Sequence, residues 1–122
     1  MELLDIRPII WTEQMEETIK YYSEVLGFIC DEYNKKLGWA SLSKDDVGIM
    51  VTKPNTNALF KGPIFTGSLY FAMDNVDELW NQLKDKAKIC YPIENFEYGM
   101  RDFAIYDNNG YMLQFGEEIQ KE

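Results

Sequence analysis

The 122-residue sequence contains no histidine and only two cysteines, and both shortages limit the chemistry that the chain can perform. Without an imidazole there is no Ser-His-Asp or Cys-His catalytic group, no histidine general base and no histidine ligand for zinc. Cys30 and Cys90 lack C-x-x-C spacing, so we interpret them as reduced and mostly buried thiols. Any catalysis must therefore use carboxylates, phenols or amides.

Positive charge is also scarce, since 12 Lys and Arg residues stand against 21 Asp and Glu residues, a formal net charge of −9. Such a surface repels nucleic acids and anionic membranes, so we expect no nucleic acid and no membrane as partner. The longest apolar run, residues 69–73, is too short to cross a bilayer, and the first residues do not resemble a signal peptide. We expect a cytoplasmic protein whose acidic surface attracts cations.

One order of elements, a strand followed by a helix and three strands, occurs twice in the chain. Apolar residues at i, i+3, i+4 and i+7 predict the helices, and runs rich in β-branched and aromatic residues predict the strands. The predicted order is a strand at 3–11, a helix at 15–26, strands at 28–34, 37–43 and 47–52, a connector at 53–67, a strand at 68–73, a helix at 76–87 and further strands to about 116.

Individual residues at the predicted ends of the helices and strands support these boundaries. Gly27 is placed to end the first helix in a left-handed conformation, and Pro8 predicts an edge strand or a bulge because it cannot donate to a sheet. Asn75 and Glu78 have the spacing of a capping box for the second helix. Asp45 begins the predicted turn between two strands of the first half.

The two halves align at an offset of 61 residues between Met15 and Val76, and of 64 between Met50 and Gln114. The offset of 64 also pairs Trp39 with Phe103. We therefore predict a duplicated β-α-β-β-β module, with a chance alignment of two amphipathic helices as the alternative.

The duplication predicts the fold class. We expect one α+β domain over 1–122, with tandem modules at about 3–52 and 68–116 that form curved mixed sheets. Because one helix cannot cover both faces of such a sheet, the helices should lie outside and leave a concave cavity. Concave, largely apolar faces are where small molecules bind.

Two motifs resemble a known family. Residues 12–28, TEQMEETIKYYSEVLGF, resemble the D-x-x-x-x-x-x-F-Y-x-x-x-L-G-F opening of the vicinal oxygen chelate superfamily, which includes glyoxalase I, extradiol dioxygenases, and fosfomycin- and bleomycin-resistance proteins. Residues 98–110, YGMRDFAIYDNNG, are similar to its closing G-x-R-x-F-x-x-x-D-P-x-G signature. Gln14 stands for the usual Asp, and Asn108 for the usual Pro. The resemblance covers about residues 6–116 and implies the two-module fold.

The resemblance also implies where a metal would be bound. The family's four ligand positions fall on Arg7, Met50, Ser68 and Gln114. Arginine does not lose its proton, a thioether is a poor ligand for hard ions, and serine and glutamine are weak neutral donors. We therefore expect no metal, no other cofactor and no catalytic residue of the family type, as in the bleomycin-resistance-like branch.

In that branch aromatic side chains line a drug groove, and the resemblance places them at Trp39, Tyr70 and Tyr98. Strand alternation adds polar and sulfur-bearing neighbours on the same faces. The predicted ligand-binding residues are Arg7, Trp39, Ser41, Met50, Ser68, Tyr70, Tyr98, Phe103 and Gln114. Ordinary packing is the alternative for the aromatic residues and is favoured for Phe103, whereas Arg7 has an ion pair as its alternative.

These expectations favour a non-catalytic protein that sequesters an aromatic or cationic compound in resistance or detoxification. The resemblance implies a homodimer, because family members usually complete each groove with a second copy or a second half. Two alternatives stay open. One is a lyase, isomerase or transferase that uses Tyr70, Tyr98, Ser68 or a carboxylate with a raised pKa in the cavity. The other is a partner-binding module whose cavity is filled by its own side chains.

Overall fold

The computed structural model describes residues 1–55, 59–65 and 67–120. Within it the chain forms two compact units, Met1–Pro63 and Ile64–Glu122. Their boundary falls inside the predicted connector at 53–67, of which residues 56–58 and 66 lie outside the described residues. Each unit contains one of the two predicted modules.

The first unit consists of one helix and one four-stranded sheet. Its elements are β1 (Ile9–Trp11), α1 (Met15–Lys20), β2 (Ile29–Asn34), β3 (Trp39–Lys44) and β4 (Val47–Thr52). The strand order is β1-β4-β3-β2, with β1 parallel to β4 and the other pairs antiparallel. The helix continues as a π turn over Tyr21–Val25, and Gly27 follows it with a φ of 79°, the left-handed conformation expected there.

The second unit repeats this arrangement. Its elements are β5 (Leu69–Ala72), α2 (Val76–Leu83), β6 (Lys88–Asn95), β7 (Met100–Tyr106) and β8 (Met112–Glu118). The strand order is β5-β8-β7-β6, with β5 parallel to β8 and the other pairs antiparallel. The helices begin at Met15 and Val76, at the predicted offset. The α+β class with two mixed sheets and two helices is confirmed.

Each unit buries its core between its helix and one face of its sheet. In the second unit Phe103 and Leu113 are fully buried on this face, and Trp80 of α2 packs its ring edge-on against Phe103 at 5.2 Å. Ala40 and Ile49 hold the equivalent places in the first unit. Because neighbouring residues of a strand point to opposite faces, residues one position away lie on the face that the helix does not cover. We call this the open face of each sheet.

Strand β1 is shorter than predicted. It begins at Ile9 rather than at residue 3, directly after Pro8, which has no amide proton for a sheet. The Pro8 carbonyl still accepts a hydrogen bond from the Met50 amide at 2.9 Å. The edge position predicted from Pro8 is confirmed, because β1 is the outer strand of its sheet.

The predicted capping box of α2 is wrong. Asn75 has a left-handed φ of 52°, and its side-chain amide donates to Glu78 at 2.6 Å instead of accepting from the helix. The first amides of the helix are capped by Glu117 of β8, which accepts from the Asn75 and Val76 amides at 3.0 and 3.1 Å. A carboxylate at this helix end is also favoured by the helix dipole.

Both cysteines are unpaired with each other, as expected, but they are half-buried rather than mostly buried. Burial raises the pKa of the Cys30 thiol, and the charge of Asp31 raises it further, so this thiol is a weak nucleophile. Over the described part of the chain, no helix is long and apolar enough to cross a bilayer.

Candidate functional site

A buried carboxylate lies at the centre of the open face of the second sheet. Asp102 of β7 is 0% exposed, and three tyrosine hydroxyls donate hydrogen bonds to it. Tyr70 and Tyr98 donate to Oδ2 at 2.9 and 2.7 Å, and Tyr91 donates to Oδ1 at 2.7 Å. A buried charge needs such partners, and hydrogen bonds to an ionised group are the stronger ones.

Two more side chains extend this network. The Gln114 amide nitrogen donates to the Tyr91 hydroxyl at 2.9 Å, and the Ser68 hydroxyl donates to the Gln114 carbonyl oxygen. The six residues Ser68, Tyr70, Tyr91, Tyr98, Asp102 and Gln114 form what we call the tyrosine–aspartate cluster. All of them lie in the second unit.

Strand register brings the cluster together. Tyr70 of β5 is paired with Gln114 of β8, and Asp102 of β7 is paired with Gly116, so these positions share one face. Gly116 is required here, because the Tyr70 hydroxyl occupies the space that a Cβ at position 116 would fill. The missing side chain lets the hydroxyl cross β8 and reach Asp102.

The rings around the carboxylate are held by aromatic contacts. Phe96, just after β6, stacks on Tyr98 at 5.4 Å with an interplanar angle of 2°, and meets Tyr91 edge-on at 5.4 Å. Tyr70 and Tyr98 are nevertheless 42% and 61% exposed. The site therefore combines a buried charge with aromatic surface that solvent and ligands can reach.

All three cluster tyrosines have a raised pKa. Desolvation of the hydroxyl is the largest cause for Tyr70, Tyr91 and Tyr98, and the hydrogen bond to Asp102 and the charge of that carboxylate also raise the pKa. The phenols thus stay neutral at physiological pH and are weak proton donors. This arrangement suits binding better than acid catalysis.

A depression of about 650 Å³ lies at the end of the open face beside Tyr98. It is lined by Tyr98, Gly99, Met100, Glu118, Ile119 and Gln120. Met100 pairs with Glu118, two positions along from the Asp102–Gly116 pair, so both residues are on the face that carries the cluster. Glu118 is exposed and adds a second carboxylate to this side of the sheet.

The open face of the first sheet carries the other predicted residues. Ser41 pairs with Met50 across β3 and β4, and the Trp39 indole nitrogen donates to the Met50 sulfur at 3.1 Å. Arg7 lies over Gly48 and forms a 3.6 Å ion pair with Asp5, the alternative considered for this residue. Trp39, Ser41 and Met50 are all half-buried and share one face.

Phe103 is corrected from a candidate ligand contact to a core residue. It is 0% exposed and lies on the helix-covered face against Trp80 and Phe115. The predicted pairing of Trp39 with Phe103 is one residue out of register. The strand pairings match Trp39 and Thr52 of the first sheet with Asp102 and Gly116 of the second, so Asp102 is the true counterpart of Trp39.

Sequence reasoning missed several residues of the site, namely Tyr91, Phe96, Asp102 and Glu118. Asp102 directly precedes the apolar run Phe103–Ile105 of β7, and an acidic residue beside such a run indicates either exposure or a paired buried charge. Counting back from the turn at Gly110, whose φ is 99°, would have placed Asp102 and Gln114 on one face.

The residues at the predicted metal positions do not fit a metal ion. Ser68 and Gln114 are hydrogen-bonded to each other, and Met50 accepts from Trp39. Arg7 carries a positive charge and no free electron pair for coordination. Among the residues that the structure describes, no group of three or more His, Cys, Asp or Glu side chains is placed to hold a metal.

Comparisons with known proteins agree with this fold. The family described as Glyoxalase/Bleomycin resistance protein/Dioxygenase superfamily matches residues 6–115. Similar solved structures include a protein of unknown function from Agrobacterium tumefaciens str. C58, with a TM-score of 0.81 and 17% identity over 98% of this chain and 97% of that one. No curated protein sequence matches the chain significantly.

Two further structures have the same fold. A glyoxalase-related enzyme from Clostridium phytofermentans is 21% identical, covers 98% of each chain and has a TM-score of 0.76. A lactoylglutathione lyase from Agrobacterium tumefaciens is 14% identical over 93% of this chain and 92% of that one, with a TM-score of 0.71. At these identities the likeness establishes the fold alone.

Proposed function

The chain belongs to the Glyoxalase/Bleomycin resistance protein/Dioxygenase superfamily. Within this superfamily, we propose that it is a metal-independent binding protein for an aromatic or cationic small molecule. Its biological role would be to sequester that compound in resistance or detoxification. The observation that carries the proposal is the tyrosine–aspartate cluster, a buried carboxylate with exposed aromatic rings around it.

The electrostatics of the chain support a cationic ligand. The formal net charge of −9 attracts cations over long range, and Asp102 and Glu118 place negative charge on one face of the second sheet. Exposed tyrosine rings add cation–π and stacking contacts of about 0.5–2 kcal/mol each. The tyrosine–aspartate cluster contains no basic side chain that could form an ion pair with an anionic substrate.

A lyase, isomerase or transferase reaction is the second candidate, and it would use the same phenols. Tyr70 and Tyr98 are both exposed and bonded to one carboxylate oxygen, which is a possible geometry for proton transfer. The raised pKa of each phenol opposes this role, because the proton stays on the oxygen at neutral pH. Binding without reaction is therefore the function that we favour.

The assembly is implied by the family resemblance alone, and the location is an expectation from the reduced cysteines and the lack of a long apolar run. We propose that the protein works in the cytoplasm as a homodimer, as expected from the sequence. Light scattering on the purified chain measures the assembly, and a monomeric mass would exclude the dimer.

Metal removal tests the proposed function directly. We expect protein dialysed against EDTA to bind aromatic cations, represented by benzamidinium and benzyltrimethylammonium, as tightly as untreated protein in isothermal titration calorimetry. The physical reason is that the cluster contains no metal ligand set. Binding of neither cation, or binding only after a divalent metal is added, would contradict the proposal.

A pair of matched variants locates the binding. Tyr98→Ala should remove most of the affinity for both cations, since it deletes an exposed ring of the site. Tyr33→Ala is the control, because Tyr33 of β2 pairs with the core residue Ala40 in the other unit and is outside the cluster. Equal loss in the two variants would indicate a site other than the cluster.

A further inference from the structure

We infer that the ligand is held through N–H groups of a protonated nitrogen, because the hydroxyl oxygens of the tyrosine–aspartate cluster are left as hydrogen-bond acceptors once their protons are given to Asp102 and Gln114. The inference rests on the proposed function, that a small cation binds at this cluster. It adds the chemical class, namely a primary or secondary ammonium, an amidinium or a guanidinium rather than a quaternary ammonium.

The first step concerns the protons of the exposed tyrosines. A carboxylate can only accept hydrogen bonds, so the hydroxyls of Tyr70 and Tyr98 must both donate to Asp102. A phenol carries one proton, and here that proton points inward. Only oxygen lone pairs are left for a ligand at these two positions.

The second step concerns the direction of the hydrogen bonds that join Tyr91, Gln114 and Ser68. The Tyr91 hydroxyl also gives its proton to Asp102, so it can only accept from Gln114, which turns the amide nitrogen of Gln114 toward it. The amide oxygen then faces Ser68 and receives the Ser68 proton. The Ser68 oxygen is consequently another acceptor without a proton to offer.

A single buried carboxylate therefore orients the hydroxyls of Tyr70 and Tyr98 directly, and that of Ser68 through Tyr91 and Gln114. Glu118, at the rim of the depression beside Tyr98, is a further group that only accepts when it is ionised. A ligand that donates N–H bonds satisfies these oxygens. A ligand that only accepts would leave its own polar atoms unpaired, which costs binding free energy.

A comparison of cations with and without N–H groups tests this inference. We expect isothermal titration calorimetry at neutral pH to show benzamidinium binding at least about tenfold more tightly than benzyltrimethylammonium, a difference of one good charge-assisted hydrogen bond. Benzoate, of similar size, should not bind. Both cations have an aromatic ring and one positive charge, so stacking and net attraction are matched.

The possible outcomes separate the inference from the proposed function. Equal or tighter binding of benzyltrimethylammonium would overturn the inference and leave a cation-binding protein. Absence of saturable binding for both cations would overturn the inference and the proposed function together.

The Asp102→Asn variant gives a second test, because it should reverse the direction of the hydrogen bonds at the Tyr70 and Tyr98 hydroxyls. In Asp102→Asn, with the Ser68–Gln114–Tyr91 hydrogen bonds kept, Tyr91 still has its proton to donate, so the amide oxygen should face Tyr91 and the amide nitrogen should face Tyr70 and Tyr98. Their protons then turn toward the open face, so both positions become donors. We expect benzamidinium affinity to fall at least about tenfold and benzoate binding to appear. An unchanged preference for benzamidinium in the folded variant would overturn the inference.

The Tyr98→Phe variant keeps the inference testable if Asp102→Asn does not fold, because Tyr98 is 61% exposed and its loss leaves the core intact. The change removes one acceptor oxygen and keeps the ring. We expect benzamidinium to lose affinity severalfold while benzyltrimethylammonium is unaffected. An equal loss for the two cations would assign the contact to the ring and contradict the inference.

Discussion

Replacing Phe103 with alanine lowers the free energy of unfolding by about 3–5 kcal/mol, the cost of deleting a fully buried aromatic side chain. Phe103 is 0% exposed and contacts Trp80 at 5.2 Å and Phe115 at 5.4 Å, so its removal leaves a cavity between α2 and the sheet. Urea unfolding followed by circular dichroism measures the change. A cost near that of a surface substitution would contradict the placement of this residue in the core.

Tyr98→Ala is the matched control for Phe103→Ala. Both changes delete an aromatic ring in the second unit, but Tyr98 is 61% exposed and lies on the open face. We expect this variant to lower the free energy of unfolding by about 1–2 kcal/mol, less than the core change, because it removes one of the three hydrogen bonds to Asp102 and leaves no buried cavity. The two variants thus distinguish the helix-covered face of the second sheet from its open face, a distinction that the sequence alone left open.

Replacing Asp102 with alanine removes the common acceptor of three tyrosine hydroxyls and should cost about 2–4 kcal/mol of unfolding free energy. The estimate is below the sum of three charge-assisted bonds, because Tyr70 and Tyr98 are exposed enough to bond with water instead. Tyr91 is half-buried and should account for much of the loss. Glu118→Ala, an exposed carboxylate change on the same side of the sheet, is the control and should cost less than about 0.5 kcal/mol.

The Asp102→Ala variant should also change how the free energy of unfolding depends on pH in alkaline solution. The cluster tyrosines have a raised pKa in the folded state, so their stabilising effect is complete below the ordinary tyrosine pKa of about 10. As the pH rises above that value, the unfolded chain loses its protons first and the free energy of unfolding decreases. The decrease should be less steep in Asp102→Ala, because one cause of the raised pKa is gone. An identical slope would contradict the role assigned to Asp102.

Local sequence signals predicted most of the fold. The apolar spacing located both helices, and β4 at Val47–Thr52 has the predicted bounds. Gly27 ends the first helix because its φ of 79° is readily available only to glycine. These features depend on neighbouring residues, which is why the sequence reveals them.

The parts that were missed depend on residues distant in the chain. Glu117 caps α2 from a strand about 40 residues later, so the local pair of Asn75 and Glu78 was misleading. Asp102 was missed because the two modules were aligned one residue out of register in β7. A shift of one residue exchanges the two faces of a strand, which brought Phe103 into the candidate site in place of Asp102.

The superfamily fold does not by itself decide between binding and catalysis, because one fold hosts many functions. In this chain the decision depends on the tyrosine–aspartate cluster. Its phenols have a raised pKa, and Ser68 and Gln114 bond to each other at positions where the family resemblance would place metal ligands. These features support a site that recognises a cation and leaves it unchanged.

Mapping the bound cation by nuclear magnetic resonance is the most direct test of this account. Backbone amide spectra of the EDTA-treated protein should be recorded during titration with benzamidinium. We predict that the largest shifts occur at the cluster and along the Met100–Glu118 end of the second sheet. Shifts confined to other parts of the chain, or shifts that require a divalent metal, would contradict it.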